Sequence, residues 1–235
     1  MEQLYQRDIY GQTLAELGRE NKNIVVLDAD LSGSTRTSVF AKEFPERFFN
    51  FGVAEQNMMA TAAGLASCGK LVFVSTFAIF ATGRAWDQVR NTISYNNFDI
   101  KIVATHAGIT VGPDGSSHQA LEDIALMRVI PNMNIIVPCD GPQTADAIKA
   151  CVNTKGPFYV RLGRPKVATI EDKPEFKFGR AQVLTEGNDL TIVACGIMVG
   201  EALVAAKNLR ALGIRARVIN VHTIRPSDPA AILKA

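Results

Sequence analysis

Nowhere in its 235 residues does the chain hold a run of roughly eighteen apolar residues, so no helical membrane span is expected. The N-terminal segment MEQLYQRDIYGQTLAELG is charged and helix-patterned. It lacks the apolar core and small-residue cleavage site of a signal peptide. Cysteine is sparse, and Cys68, Cys139, Cys151 and Cys195 form no CxxC pair. That argues against a structural zinc or a disulfide frame, and for buried free thiols in a reducing compartment. A cytoplasmic protein is expected. An excess of one charge is missing too: 25 lysines and arginines face 23 aspartates and glutamates, for a net charge of +2. With no basic stripe and no long charge run, nucleic acid is not an expected partner.

What is present is an ordinary globular composition, 47% hydrophobic and 20% charged. The length fits one large domain and part of a second. Apolar, often β-branched runs recur at 24–27, 71–74, 100–104, 134–137 and 158–160. Each is nearly continuous, as expected for strands covered on both faces. Helical patterns lie between them at 4–20, 55–68, 81–95, 120–128 and 142–153. Gly18 and Gly69 sit where left-handed caps would fall, and Pro142 stands early in its helix, where its missing N–H does no harm. This alternation predicts an α/β fold over residues 1–165, a mostly parallel sheet flanked by helices. Residues 166–178 are rich in proline and charge and read as a linker. Residues 179–235 carry a strand at 190–195, a helix at 198–212 and a strand at 214–221. This reads as an incomplete second α/β domain, stopping at Ile232-Leu233-Lys234-Ala235 within a helical pattern.

The stretch FGVAEQNMM, at 51–59, places Glu55 where an apolar, small-residue helix begins. A first-turn carboxylate is common there, because the helix dipole favours it. Gly52 and Ala54 beside it, and the small residues at 60, 62, 63 and 66, also suit the close approach of a ligand, another helix or a second subunit. Phe77 and Phe80 follow a buried strand; they fit either the core or the apolar wall of a flat heterocycle. The loop THAGITVGPDGSSHQ, at 105–119, follows a strand and precedes a helix. Ligands of open parallel sheets bind at such strand ends. The loop gathers His106, Asp114, His118 and glycines that permit unusual backbone angles. It has no HxH or HxxxH pair, so it makes a poor metal site. Arg7, Arg161 and Arg164 are solvated charges by default; converging on a pocket they would suit a phosphate. His222 has no such company and reads as structural.

The segments GVAEQNMMATAAGLA, STFAIFATGRAWDQVRN and THAGITVGPDGSSHQALED, in this order and spacing, resemble the pyrimidine-binding domain of transketolases. The upstream LDADLSGST resembles the family's matching loop. The likeness runs from Arg7 to Arg164, and the segment after the linker is similar to the start of the family's C-terminal domain. The resemblance implies thiamine diphosphate as cofactor. Glu55 would hydrogen-bond N1′ of the aminopyrimidine as a protonated carboxyl, a form that burial favours, and would promote the imino tautomer that activates C2 of the thiazolium. Phe77 and Phe80 would wall the pyrimidine, and Asp30 would approach the cofactor across a dimer. His106 and His118 would join Glu55 as catalytic groups. Asp114 and His118 would contact substrate hydroxyls; His106, Arg7, Arg164 and Ser34 would bind the sugar phosphate. The Glu55 helix would pack at a subunit contact. Gly83 stands where many transketolases place a third aromatic, and Pro113 and Ser116-Ser117 replace an acid and Pro-Thr, which leaves substrate preference open.

The family holds the cofactor's diphosphate through a metal on a separate domain, marked by Gly-Asp-Gly and a downstream Asn. No Gly-Asp-Gly occurs in this chain. The expected partner is therefore an N-terminal transketolase subunit that holds the diphosphate and Mg²⁺ or Ca²⁺. Two copies of each chain would restore a twofold dimer. A fragment of a larger protein is the alternative. The expected activity is transfer of a two-carbon ketol unit from a ketose phosphate to an aldose, by default in the pentose phosphate pathway. Other readings stay open. Deoxyxylulose-phosphate synthase usually has Asp-Arg where this chain has Thr105-His106. The beta subunits of oxo-acid dehydrogenases lack the Asp-Gly-x-x-His-Gln pattern but match loosely. A non-catalytic subunit that kept the fold is a further alternative.

Overall fold

In the computed structural model, which describes residues 2–234, the short apolar runs become strands of a seven-stranded sheet. The described chain enters through strand β1 (Gln3–Tyr5) and helix α1 (Gln6–Glu20). Strand β2 (Ile24–Asp28) leads into the short helices α2 (Ser32–Thr35) and α3 (Ser38–Glu43), then β3 (Phe48–Asn50). Helix α4 (Glu55–Ser67), β4 (Leu71–Phe77) and β5 (Ile100–Thr105) follow. Next come α5 (Asp123–Arg128), β6 (Asn134–Ile136), α6 (Gly141–Asn153) and β7 (Phe158–Arg161). Beyond them lie β8 (Lys166–Ala168), β9 (Gln182–Thr185), β10 (Leu190–Ala194) and α7 (Met198–Ala211). The last elements are β11 (Ala216–Asn220), β12 (Thr223–Arg225) and α8 (Pro229–Leu233).

The large sheet has the order β12-β6-β7-β5-β4-β2-β3. Every neighbouring pair is parallel except β12 with β6. The mostly parallel sheet expected from the continuous apolar runs is what forms. Strand β2 shows why its run does not alternate with polar residues. Ile24 and Val26 pack with Tyr10, Leu14, Phe40 and Ile148 on one face, and Val25 and Leu27 pack with Met58, Met59 and Ala62 on the other. Each such side chain contributes about 1.5–3 kcal/mol when fully buried. Residues 179–234 add a three-stranded sheet, β10-β11-β9, with α7 laid on a small cluster of Ala202, Ala206, Ala216 and Val218. Helix α6 meets the small sheet through buried amides: Gln143 Nε2 donates to Gln182 Oε1 at 2.9 Å, and Asn220 Nδ2 donates to the same oxygen at 3.0 Å.

Several boundaries differ from the sequence expectation, each for a local reason. The helix expected over 81–95 is two π-helical stretches, Phe80–Arg84 and Gln88–Ser94. There Thr82 Oγ1 donates back to the Ala78 carbonyl at 2.8 Å, and Gly83 follows, a combination that loosens an α-helix. The helix expected from 120 begins at Asp123, because the Ala120 carbonyl already accepts from Gly108 N–H at 2.9 Å. The helix expected from residue 4 starts at Gln6, and the residues before it pair antiparallel with β8, inside the stretch read as a linker. The cysteines are all free; Cys139 and Cys151 are buried, and burial pushes both thiols up to about 12, but Cys68 is exposed at the end of α4. No helix among the described residues is long and apolar enough to cross a membrane.

One glycine of α1 fixes how the site's first loop sits. A Cβ on Gly11 would lie 2.6 Å from the Arg36 carbonyl oxygen and 2.8 Å from the Arg36 Cβ. Gly11→Ala is therefore expected to destabilise the fold by about 1–3 kcal/mol, as overpacking against backbone does. Urea unfolding would measure it. A loss below about 0.5 kcal/mol, within the range of ordinary surface changes, would show that α1 slides freely over this loop.

Candidate active site

Strands β2, β4, β5 and β7 run parallel, so the segments that leave Asp28, Phe77, Thr105 and Arg161 converge on one edge of the sheet. Asp28 anchors the first loop. Its fully buried carboxylate accepts from Leu31 N at 2.6 Å, Thr35 Oγ1 at 2.7 Å and Thr37 Oγ1 at 2.8 Å. Burial still raises its pKa, against the pull of those donors. The tether holds Asp30 at a left-handed φ of 65° on the exposed loop surface. Asn50, at the end of β3, fixes it there. Its Oδ1 accepts from Asp30 N and Gly52 N, each at 3.0 Å, and its Nδ2 donates to Asp30 Oδ1 at 2.9 Å. Asn50 thus joins the Asp30 loop to the loop that delivers Glu55.

Glu55 opens α4 and is 1% exposed. It lines a cleft of about 530 Å³ together with Asp30, Phe80, Arg84 and His118. Both Glu55 oxygens accept from Arg84 Nη1, at 3.0 and 2.9 Å. Glu55 is therefore an acceptor in this structure, and its compensating cation comes from 29 positions away in the sequence. Phe77 and Phe80 stack with ring centroids 6.0 Å apart. Phe80 lines the cleft, while Phe77 is buried and stacks on His106 at 3.8 Å. His118 meets Phe80 edge-on at 5.2 Å.

His106 has a left-handed φ of 61° and bonds through Nδ1 to Thr105 Oγ1 at 2.9 Å. Burial, with the Arg7 charge nearby, lowers its pKa to about 4. Beyond it lies the cationic side. Arg7 Nη1 donates to the Ser34 backbone carbonyl at 3.3 Å, so the Ser34 hydroxyl is not what Arg7 holds. Burial, reinforced by Arg36 and Arg164, lowers the Arg7 pKa. Arg164 lies 3.9 Å from Asp114. The Nε atoms of both Arg7 and Arg164 are buried without a hydrogen-bond partner. Gly112, at φ +80°, is needed here: a Cβ would sit 2.7 Å from Arg164 Nη1. Arg161 turns away from this group. It donates to the fully buried Asp123 through Nε at 2.6 Å and Nη2 at 3.2 Å, and Tyr159 OH donates to the same carboxylate at 2.6 Å. Arg161 Nη2 also reaches the Ala120 carbonyl at 3.3 Å, which ties down the end of the histidine loop.

The expected site residues thus gather at one edge in two adjoining groups. Asp30, Glu55, Phe80 and His118 line the cleft, Phe77 and His106 stack behind it, and Arg7, Ser34, Asp114 and Arg164 lie alongside. Arg84, Asn50 and the Asp123 and Tyr159 partners of Arg161 are residues at or behind the site that sequence reasoning missed. Among the described residues, no three histidine, cysteine, aspartate or glutamate side chains come together in a way that could hold a metal ion.

The buried histidines give the fold an acid limb. His222 is buried against Phe176, at 4.3 Å between rings, and burial lowers its pKa to about 4, as in His106. Above the ordinary value of 6.5 neither state holds the proton. Between 6.5 and about 4 the unfolded chain takes it up and the folded chain does not, so stability falls as pH falls. The thermal midpoint is expected to drop across that window, and His222→Leu to make the drop shallower. A midpoint as pH-sensitive in His222→Leu as in the wild type would remove His222 from this account.

An open parallel sheet with a buried acid, stacked aromatics and unmet guanidinium groups at its carboxyl edge defines an α/β protein with a ligand site at the strand ends. Comparison with known proteins narrows the class. The family description "Transketolase, pyrimidine binding domain" matches residues 2–169, and "Transketolase, C-terminal domain" matches residues 179–235. A Methanocaldococcus jannaschii protein whose name contains the words transketolase C-terminal section is 54% identical over 229 residues, 96% of this chain and 72% of its own length. A 6-deoxy-6-sulfo-D-fructose transketolase subunit of Clostridium sp. strain MSTE9 is 41% identical over 236 residues, 100% of this chain and 73% of its own length. A solved structure described as a split gene transketolase, inactive beta4 tetramer, aligns with a TM-score of 0.90 at 52% identity, over 99% of this chain and 76% of that one. The chain belongs to the transketolase family, whose members are thiamine-diphosphate-dependent transferases.

Proposed function

We propose that this chain is the C-terminal, pyrimidine-domain subunit of a two-chain transketolase that moves a two-carbon ketol unit from a ketose phosphate to an aldose. The observation that carries this reading is the buried Glu55 set beside Phe80 in the cleft. The residues present fit the aminopyrimidine half of thiamine diphosphate: a carboxyl for the ring edge and an aromatic face for the ring plane. When bound, the cofactor supplies the carbon nucleophile. Glu55 holds a proton at N1′. Phe77 and Phe80 exclude water from the ring. Asp30, expected to reach the cofactor across a dimer, lines the same cleft as Glu55 and would meet the ring from within this chain. His106, uncharged near neutral pH, and His118 handle protons at the substrate oxygens, and Asp114 orients a hydroxyl. Arg7 and Arg164, whose Nε atoms lack partners, bind the sugar phosphate together with Ser34 and His106.

The diphosphate and its Mg²⁺ or Ca²⁺ fall to an N-terminal transketolase subunit. The relative described as an inactive beta4 tetramer supports a need for that second chain. The exposed positions Ala60, Gly64 and Ser67 along α4, with Val53 74% exposed nearby in sequence, support twofold self-association. The working complex would hold two copies of each chain in the cytoplasm, in pentose phosphate metabolism. Residues 1–165 are assigned to the pyrimidine domain, 166–178 to the connection and 179–235 to the C-terminal domain.

The test is to purify the tagged full chain from its source cells, measure its native mass and sequence what accompanies it. A partner carrying Gly-Asp-Gly is expected, and with it thiamine-diphosphate-dependent turnover of xylulose 5-phosphate and ribose 5-phosphate. Recovery of self-assemblies alone, inactive with these sugars, would sink the proposal.

A further inference from the structure

Arg84 occupies an unusual place. Its Nη1 spans both oxygens of Glu55, and its guanidinium carbon lies 4.5 Å from the centroid of the Phe80 ring. One side chain therefore covers the hydrogen-bonding edge and an aromatic face of the same cleft. Those are the two surfaces that a flat heterocycle needs for recognition. The contact is built to open. Only one guanidinium nitrogen is engaged, whereas a fork-to-fork pair would use two. The Arg84 side chain is 46% exposed, so its charge regains water easily, while the Glu55 side chain is 1% exposed and must have a replacement. Arg84 ends the π-helical stretch Phe80–Arg84, and a Cβ on neighbouring Gly83 would meet only Ile79 Cδ1, at 3.9 Å.

We propose that Arg84 is an exchangeable stand-in for the cofactor's pyrimidine: it compensates Glu55 while the cleft is empty and yields both Glu55 and the Phe80 face to the ring on binding. This rests on the thiamine diphosphate reading above and adds its regulation. On binding, the ring edge would take the place of the guanidinium at Glu55, and the ring plane its place on Phe80. The device would keep a buried carboxylate from standing uncompensated before the two chains meet.

Calorimetry of thiamine diphosphate with Mg²⁺ on the complex of this chain and its recovered partner tests it. Arg84→Met is expected to bind roughly tenfold more tightly, as when a competitor filling about nine-tenths of the sites is removed. Arg84→Lys should lie between. In a Glu55→Gln background the same Arg84→Met change should alter affinity by less than about twofold, because the two residues act as a pair. Weaker binding by Arg84→Met would overturn the proposal and make Arg84 a contact of the bound ring. Unchanged affinity would overturn it as well. Absence of binding by the wild-type complex would instead remove the thiamine diphosphate reading, and this inference with it.

Discussion

Glu55→Gln is expected to lower turnover by the proposed two-chain enzyme by about 10²–10⁴-fold, the usual span for a lost acid–base group. Glutamine keeps the size and the hydrogen-bonding ability of the side chain but has no proton to exchange. The site is otherwise built to survive the change. Asn50 holds the Glu55 loop through Gly52 N, and Met58 and Met59 seat the helix in the core, neither depending on the carboxylate. Arg84 would lose its ionic partner, but it is half in water and needs none. Cofactor affinity should therefore change far less than kcat. Steady-state assays with calorimetry on the same preparations separate the two. Activity unchanged in Glu55→Gln would remove Glu55 from the reaction and favour a subunit that kept the fold without the chemistry.

The second large effect concerns stability. Asp123→Ala should destabilise the fold by about 3–5 kcal/mol, the range for breaking a buried charge pair. The fully buried carboxylate accepts from Arg161 at 2.6 Å and from Tyr159 at 2.6 Å. Without it the Tyr159 phenol has no acceptor and the Arg161 guanidinium keeps only the Ala120 carbonyl. For a chain of this size that corresponds to a fall of about 6–20 °C in Tm. Asp123→Asn, which still accepts one hydrogen bond, should lose less. Because Arg161 also holds the Ala120 carbonyl, the loop carrying Asp114 and His118 should loosen together with the sheet. Scanning calorimetry of the three proteins decides it. A loss under about 1 kcal/mol would place the pair among those worth little.

The two predictions differ in how far the sequence alone could carry them. Glu55 was legible because it begins an apolar helix between small residues, in a run of ordered motifs. Asp123 was not. In QALEDI an acid ahead of an apolar run reads as an ordinary first-turn residue, and nothing local reveals that it is buried beneath Arg161. Arg84 was hidden for a similar reason: GRAWDQVR reads as a solvated helix face, and the partner of a buried acid need not be near it in sequence. Long strands such as β4 and β5 were legible because burial on both faces leaves an unbroken apolar run. The three-residue strands β1, β8 and β12 were not, since so short a piece has no period to read. The convergence of Arg7 and Arg164 on one edge follows from strand order, which no single stretch encodes.

Strand β12 has a consequence for how such chains can recombine. It belongs in sequence to the second unit, yet it closes the edge of β6 in the first sheet. Arg225 Nη1 fastens it with bonds to the carbonyls of Arg128 at 2.9 Å and Ile130 at 2.8 Å, and Val137 N–H donates to the His222 carbonyl at 2.7 Å. A hybrid joined within 166–178 would bring a foreign seventh strand to a native sheet. A polypeptide ended at that joint would leave β6 with bare N–H and C=O groups, a template for pairing with other chains. The exchangeable module ends after Arg225, and a crossover placed beyond it keeps the strand with the sheet that needs it.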